Sequence, residues 1–140
     1  MGNDAMTGVT PNGQQQNVLL VEDEWLISEM VEAALTERGF TVHTASNARD
    51  ALDHLSSGSA VDVLVTDIDL PGGMDGMALA ARAREMRPDL PVLYASGAVT
   101  AKNPLLAVPN SSFVPKPYSP SMICSVVARL ASTRMQSAVS

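Results

Sequence analysis

The sequence predicts an α/β fold in which five parallel strands form one doubly wound sheet with helices on both faces. Five short apolar runs, rich in β-branched residues and bounded by Gly, Pro or Asp, have the length of buried strands. Segments with the apolar spacing of helices separate the first four runs and follow the last one. Because parallel strands need long, usually helical crossovers, this alternation favours a single sheet covered on both sides.

The predicted strands begin after a polar N-terminal segment. Residues 1–16 carry no periodic apolar face, and we expect them to form a disordered tail. The strands are predicted at 17–22, 40–45, 61–66, 91–95 and 112–115. The folded domain is therefore expected to span 17–133, followed by a C-terminal tail at 134–140.

Each predicted helix begins or ends at a residue that favours a helix terminus. These residues are Gly39, Asn47, Gly58, Pro88 and Ser119. The second and third helices are predicted at 48–57 and 75–87. The segment 98–110 fits either a short helix or an irregular loop.

Composition excludes several classes of function. The net charge of −6 argues against a nucleic-acid-binding protein, which needs a basic surface. No apolar run approaches the ~18 residues of a membrane span, and the start is too polar for a signal peptide. Cys124 is the one cysteine, so an internal disulfide is impossible and a cytoplasmic location is expected.

Charged and hydroxyl side chains stand at the carboxyl ends of four predicted strands. Glu22 and Asp23 end the first strand, and Asp67 directly follows the third. Ser96 follows the fourth strand and Lys116 the fifth. Because the carboxyl ends of parallel strands share one edge of the sheet, binding sites gather there. We therefore expect three acids, a hydroxyl and an ammonium to form one site.

The three acids predict a site for a divalent metal, since neighbouring carboxylates repel one another unless a cation lies among them. Neither Cys nor His stands at these strand ends, so Mg²⁺ or Mn²⁺ fits better than zinc or copper. A carboxylate beside such a metal can attack phosphorus and form an aspartyl phosphate. Lys116 would supply further positive charge, and the Ser96 hydroxyl could bond a phosphoryl oxygen.

Each of these residues also has an ordinary structural role. Taken alone, Asp23 fits a helix N-cap and Asp67 fits the start of a turn. Ser96 alone fits a loop, and Lys116 alone fits a solvated charge. Their joint placement at four strand ends is what favours a site.

Four motifs resemble those of response-regulator receiver domains, the CheY-like family. They are LLVEDE, VTDIDLPGGMDG, YASGA and FVPKPY, in the family's order and close to its spacing. The resemblance covers residues 17 to about 133. It implies a flavodoxin-like sheet with strand order 2-1-3-4-5, the order that is general for this fold.

The resemblance also implies roles for the residues at the strand ends. Asp67 is similar to the family's phosphoacceptor, and Lys116 to the lysine that pairs with the phosphate. Asp23 and Asp67 would bind Mg²⁺ directly. Glu22 would bind it through water, and Asp69 through its backbone carbonyl.

The resemblance also covers residues that would transmit the signal, although three features of this sequence differ from the family's pattern. Ser96 resembles the switch hydroxyl and Phe113 the switch aromatic, and a cis bond is implied before Pro117. Glu22 stands where the family more often has Asp, and LPGGMDG is one residue longer than the usual loop. The segment 98–110 is unlike the family's regular fourth helix.

The function implied by the resemblance is that of a phospho-accepting receiver, not an enzyme, although it could dephosphorylate itself. Its phosphoryl donor would be a sensor histidine kinase or a histidine phosphotransfer protein. A downstream protein target is also expected, and phosphorylation could lead to a homodimer. Neither nucleic acid nor membrane is expected as a partner. The LPGGM form is similar to receivers attached to, or encoded beside, bacterial sensor histidine kinases. Since little follows residue 133, we expect a stand-alone receiver without an output domain.

Two alternatives stay open on the sequence. VTDIDL also matches the Asp-x-Asp start of haloacid-dehalogenase-type phosphatases, but those enzymes need a late acidic pair and no acid follows Asp89. The second alternative is a receiver-like binding module that is not phosphorylated. Such modules usually lack the aspartate or the lysine, whereas this chain has both.

Overall fold

A computed structural model describes residues 9, 13, 15–96, 108, 109, 111–116 and 119–139. At 96 and 133–139 it describes the backbone alone. These residues form five strands and four helices. The strands are β1 (Asn17–Val21), β2 (Thr41–Ala45), β3 (Val63–Asp67), β4 (Val92–Ser96) and β5 (Ser111–Pro115). The helices are α1 (Trp25–Glu37), α2 (Ala48–Ser56), α3 (Gly76–Met86) and α4 (Pro120–Val139). Most of 98–110, and Pro117 with its expected cis bond, lie outside the described residues.

The sheet has the order β2-β1-β3-β4-β5, and every neighbouring pair is parallel. Both the predicted fold class and the predicted strand order are therefore confirmed. Val21 of β1 pairs with Thr66 of β3, and Asp67 pairs with Ala95 of β4. The last pair of β4 and β5 joins Ser96 to Pro115. This register places the ends of four strands side by side at one edge.

Apolar side chains alternate between the two faces of the sheet, as the pleat requires. Leu19 and Leu64 belong to a core layer that includes residues of α2 and α3. Leu20 and Val65 belong to the opposite layer, which includes residues of α1 and α4. The central strands are buried on both sides for this reason, so they read as continuous apolar runs in the sequence.

Helix ends follow the predicted signals. The side chain of Asn47 accepts a hydrogen bond of 2.8 Å from the Asp50 amide, which confirms the cap of α2. The side chain of Asp75, which was predicted as the first residue of α3, instead caps it by accepting a 2.9 Å hydrogen bond from the Ala78 amide. After α1, Gly39 takes a φ of 96°, a conformation that favours glycine.

The folded region extends beyond the boundaries expected from the sequence at both ends. Gln16, which falls in the segment predicted to be disordered, is buried, and its carbonyl accepts a 2.9 Å hydrogen bond from the Thr41 amide. The Thr41 hydroxyl also donates to Gln15 over 2.8 Å. The last helix continues past residue 133 to Val139, because 134–139 contains neither Pro nor Gly to end it. No helix among the described residues has the length and apolarity of a membrane span.

Candidate metal and phosphoryl-transfer site

The ends of β1 and β3 bring together three acids that are far apart in the sequence. One carboxylate oxygen each from Glu22, Asp23 and Asp67 lies within 4.8 Å of the others. Glu22 is 3% exposed and Asp67 5%, whereas Asp23 is exposed. Two of these three acids are therefore shielded from water, and the third faces solvent, as does Asp69, the fourth residue predicted at the metal site.

Lys116 reaches this cluster from the end of β5. Its Nζ lies 3.0 Å from Asp67 Oδ2, 3.2 Å from Glu22 Oε1 and 3.9 Å from Glu24 Oε1. Burial alone would lower the pKa of Lys116, but the hydrogen bond to Asp67 and the charges of Glu22 and Asp67 raise it above its usual value. The lysine is therefore a permanent cation between the two buried carboxylates.

Backbone amides orient the same two carboxylates. Asp67 Oδ1 accepts a hydrogen bond of 3.1 Å from the Asp69 amide, and Glu22 Oε2 accepts one of 3.3 Å from the Glu24 amide. Each carboxylate thus uses one oxygen for the backbone and the other for Lys116. Because the amides are fixed by the strand ends, the oxygens keep defined directions.

The cluster carries more negative charge than Lys116 balances. Burial, followed by the charge of Asp67, raises the pKa of Glu22 from 4.5 to about 7, although the Glu24 amide and Lys116 pull it down. Three carboxylates face one ammonium, so a divalent cation would balance the excess. Carboxylate oxygens are the ligands that Mg²⁺ and Mn²⁺ prefer, so the residues present fit such an ion.

The loop after β3 folds back so that α3 starts directly behind Asp67. The Gly76 amide donates a 2.7 Å hydrogen bond to the Ile68 carbonyl, and a Cβ at position 76 would overlap the Asp67 carbonyl oxygen. Gly72 and Gly73, with φ values of 93° and 90°, form the turn of this loop. The extra residue of LPGGMDG is accommodated by these two consecutive glycines.

The residues expected to transmit a signal lie on β4 and β5. Ser96 is the last residue of β4, and its side chain is not among those described. Phe113 is half-buried and stacks on Tyr94, with ring centroids 4.9 Å apart and 26° between the planes. Tyr94 is fully buried, and its hydroxyl accepts a 3.2 Å hydrogen bond from the Val108 amide.

Sequence reasoning missed two contributors to this edge of the sheet. Glu24, the third consecutive acid, approaches Lys116 from the start of α1. Tyr94 of β4 stacks on Phe113 of β5, and its hydroxyl accepts a hydrogen bond from the Val108 amide. A signal existed for Tyr94, because a tyrosine inside a buried strand needs a partner for its hydroxyl.

Residues 18–128 match the sequence profile described as the response regulator receiver domain. The chain is 36% identical over 117 residues to the sensor kinase CckA of Brucella abortus (strain 2308), a match that covers 81% of this chain and 12% of that protein. It is 38% identical over 104 residues to the transcriptional regulatory protein TcrA of Mycobacterium tuberculosis, with 73% and 40% covered. The chain therefore spans less than half the length of either relative.

A solved structure is similar over nearly its whole length. The response regulator receiver protein of Sinorhizobium medicae WSM419 superposes with a TM-score of 0.80 at 34% identity, covering 85% of this chain and 96% of that one. The match to the receiver profile also argues against a haloacid-dehalogenase-type phosphatase, the alternative based on VTDIDL. Because that match runs through all five strands and through the residues that meet at their ends, the chain belongs to the response-regulator receiver family.

Proposed function

We propose that this chain is the phospho-accepting receiver of a two-component phosphorelay and that Asp67 takes the phosphoryl group in a Mg²⁺-dependent reaction. The supporting observation is the set of contacts at the Asp67 carboxylate. Lys116 Nζ lies 3.0 Å from one oxygen, and the Asp69 amide donates to the other over 3.1 Å. Oxygens of Glu22 and Asp23 lie within 4.8 Å, as metal ligation requires.

The reaction transfers a phosphoryl group from a histidine of a kinase or phosphotransfer protein. An oxygen of Asp67 forms a bond to phosphorus while the bond from phosphorus to the histidine nitrogen breaks, and the nitrogen keeps the electron pair. A bound Mg²⁺ would supply positive charge beside the phosphoryl oxygens. We assign its direct ligands as Asp23 and Asp67, with Glu22 acting through water and Asp69 through its backbone carbonyl.

Lys116 and Ser96 act on the phosphoryl group itself in this proposal. Lys116 is held between the carboxylates of Glu22 and Asp67, so its ammonium stands beside the oxygen that would attack. Once Asp67 is phosphorylated, the same ammonium pairs with a phosphoryl oxygen. Ser96 ends the strand that neighbours β3, and its hydroxyl is assigned to another phosphoryl oxygen.

The output in this proposal is protein docking in the cytoplasm, through a surface of the receiver itself. The face that includes 98–110, β5 and α4 would meet a downstream target or a second copy. Phosphorylation adds about −1.5 to −2 charge at pH 7 and draws the Ser96 hydroxyl inward. Phe113 then shifts on β5 and changes the shape of this face. A partner that binds the new shape better would increase the population of that conformation.

The proposal is tested by labelling with Mg²⁺ and a small acyl phosphate. The parent should gain one alkali-labile phosphoryl group, and Asp67→Asn should gain none because it lacks the attacking carboxylate. Asp53→Asn, which alters an exposed acid on α2, should label as the parent does. Normal labelling of Asp67→Asn would contradict the assignment. An unlabelled parent would favour the binding module that is not phosphorylated.

Autodephosphorylation is the second step that we propose, and Asp69 is the residue assigned to influence it. Asp69 is exposed and follows Asp67 by two residues, so its carboxylate can orient or repel the attacking water. Asp69→Ala should change the half-life of the labelled protein at least about twofold, a change equivalent to roughly 0.4 kcal/mol in the barrier. The half-life of Asp53→Ala should equal that of the parent. Equal half-lives for all three proteins would remove Asp69 from the mechanism.

A further inference from the structure

Two histidines meet where the edge of the sheet contacts α2. His43 lies on β2, the strand at one edge of the sheet, and His54 lies in the last turn of α2. Their rings stack face to face, with centroids 3.7 Å apart and 10° between the planes. His43 is exposed and His54 is half-buried, so protons can reach the pair from solvent. We call this contact the histidine stack.

A guanidinium group approaches the same end of α2. Arg87, the residue that follows α3, donates a hydrogen bond of 2.9 Å from Nη2 to the carbonyl of Leu55, the residue after His54. An arginine side chain keeps its positive charge at every pH at which the protein is folded. The end of α2 is therefore attached to β2 through the histidine stack and to the end of α3 through Arg87.

A positive charge on His54 is disfavoured in the folded protein. Burial, followed by the charges of His43 and Arg87, lowers the pKa of His54 below its usual value of 6.5. The other charged side chains of α2 are all exposed, and they are Arg49, Asp50 and Asp53. His54 is thus held as a neutral ring at neutral pH.

The other elements that contact α2 add no further charge to the stack. β1 carries no titratable side chain. On α3, Arg82 pairs with Glu85 at 3.5 Å, and Arg84 donates from Nε to the Leu90 carbonyl over 2.6 Å. The positive charges that act on His54 are therefore those of His43 and Arg87.

We propose that the histidine stack is a proton-operated contact, which releases the end of α2 from β2 when both rings are protonated. Two imidazolium rings stacked at 3.7 Å, with a guanidinium at the same helix end, would repel one another strongly. Histidine is suited to such a contact because its charge changes in the range between pH 5 and 8. The contact involves neither Asp67 nor the residues of the metal cluster, and it does not depend on phosphorylation.

The direction of the pH response follows from the lowered pKa of His54. The folded protein binds this proton less tightly than the unfolded chain does. The stability contributed by the stack is therefore complete above pH about 6.5, and it is lost as the pH falls through the lower pKa of the folded state. Glu22 responds in the opposite direction, because its pKa is raised by folding.

NMR titration of the imidazole rings provides the first test, because the chain has two histidines. The Cε1–H signal of each ring is assigned by its loss in His43→Phe or in His54→Phe. We expect His54 to titrate below pH 6.5 in the parent. Its midpoint should move upward in His43→Phe, which keeps a stacked ring without a charge, and in Arg87→Gln. Arg82→Gln, which removes an exposed guanidinium of α3, should leave the midpoint unchanged.

Amide hydrogen exchange provides the second test, because it reports on the release of α2 itself. The reference is the amide of Val127, a buried residue of α4 on the opposite face of the sheet. After correction for intrinsic rates, exchange at Leu55 relative to Val127 should be at least about threefold faster at about pH 5.5 than at about pH 7.5. His54→Phe should show no such change, because phenylalanine can stack on His43 and cannot bind a proton.

Three results would overturn the proposal. The first is a His54 midpoint in the parent at or above 6.5, and the second is the same midpoint in His43→Phe as in Arg82→Gln. The third is equal acceleration of exchange at Leu55 in the parent and in His54→Phe. Urea unfolding midpoints show whether each variant is folded. The titration and the exchange of the parent need no variant, so they decide the outcome even if a substitution prevents folding.

Discussion

The two halves of the functional edge of the sheet are held together by different forces. At the ends of β1 and β3, Glu22, Asp67 and Lys116 are fixed by charge and by backbone amides. Across β4 and β5, Tyr94 and Phe113 are fixed by ring stacking and one hydrogen bond. The charged half therefore depends on ionised groups, and the aromatic half on apolar contact and a neutral hydrogen bond.

The two halves should also respond differently to solution conditions. The charged half contains a carboxyl group with a pKa of about 7, so protons and divalent cations compete for it near neutral pH. The aromatic half depends on apolar burial and a neutral hydrogen bond, neither of which changes between pH 5 and 8. Stability measured against pH and Mg²⁺ therefore separates the two.

The largest effect is expected for Lys116→Met, which would break the charged half. Without the ammonium, Glu22 and Asp67 are buried carboxylates with no cation between them. Removing one partner of a buried pair costs about 3 to 5 kcal/mol of unfolding free energy, and we expect the lower part of that range at pH 8 without Mg²⁺ because the Lys116 side chain is 18% exposed. Urea unfolding measures the loss. Arg82→Met, which breaks an exposed pair with Glu85, should cost less than about 1 kcal/mol. Similar losses for both variants would contradict the comparison.

Glu22→Gln should sharpen the comparison through its pH dependence. The raised pKa means that the folded state binds this proton more tightly than the unfolded chain does. The resulting stability is complete below pH about 4.5 and is lost as the pH rises through about 7. In the parent this loss is on the order of 3 kcal/mol without Mg²⁺.

Glutamine does not titrate, so Glu22→Gln should match the parent near pH 4.5 and exceed its unfolding free energy at pH 8. Urea unfolding across this range measures the difference. Glu29→Gln, which alters an exposed acid on α1, should leave the parent's pH slope unchanged. If Glu22→Gln and the parent give parallel curves, Glu22 is not the titrating group.

Tyr94→Phe is expected to have the smallest effect, and it tests the aromatic half. The variant keeps the stack on Phe113 and removes only the hydroxyl that accepts from Val108. The loss should be about 1 kcal/mol, the usual net value of one hydrogen bond. Amide hydrogen exchange at Val108 should become faster. A loss that varied with pH or Mg²⁺ would show that the two halves are coupled in the unphosphorylated protein.

The elements of the fold were predictable because burial on both faces leaves a direct pattern in the sequence. Val63–Asp67 was expected at 61–66 and Val92–Ser96 at 91–95, so the strand ends that carry Asp67 and Ser96 were located within two residues. The approach of Lys116 to Glu22 and Asp67 was expected from the strand ends, but the oxygens that it contacts and its contact with Glu24 were not predictable. Asp67 is 49 residues away from Lys116, and no local pattern fixes which way a side chain turns across two strands.

Other features depend on packing and also escaped the sequence. Tyr94 was placed on its strand, but the stack on Phe113 follows from the register of β4 and β5. Gln16 was assigned to a polar tail, although its backbone continues the pairing with Thr41. A cavity lined by Ser28, Thr44 and Asp50 combines residues of α1, β2 and α2, which no local sequence pattern brings together.

Because β5 lies at the edge of the sheet and comes late in the chain, the charge cluster at Asp67 is completed only late in folding. β5 is the last strand in the chain, and it carries the lysine that neutralises acids contributed by the first and third strands. Contacts between such distant residues form late, because a long loop must close before they gain anything. A chain synthesised only as far as β4 would hold Glu22 and Asp67 together with no ammonium to offset their repulsion. The complete cluster of acids and ammonium therefore exists only once β5 has paired with β4.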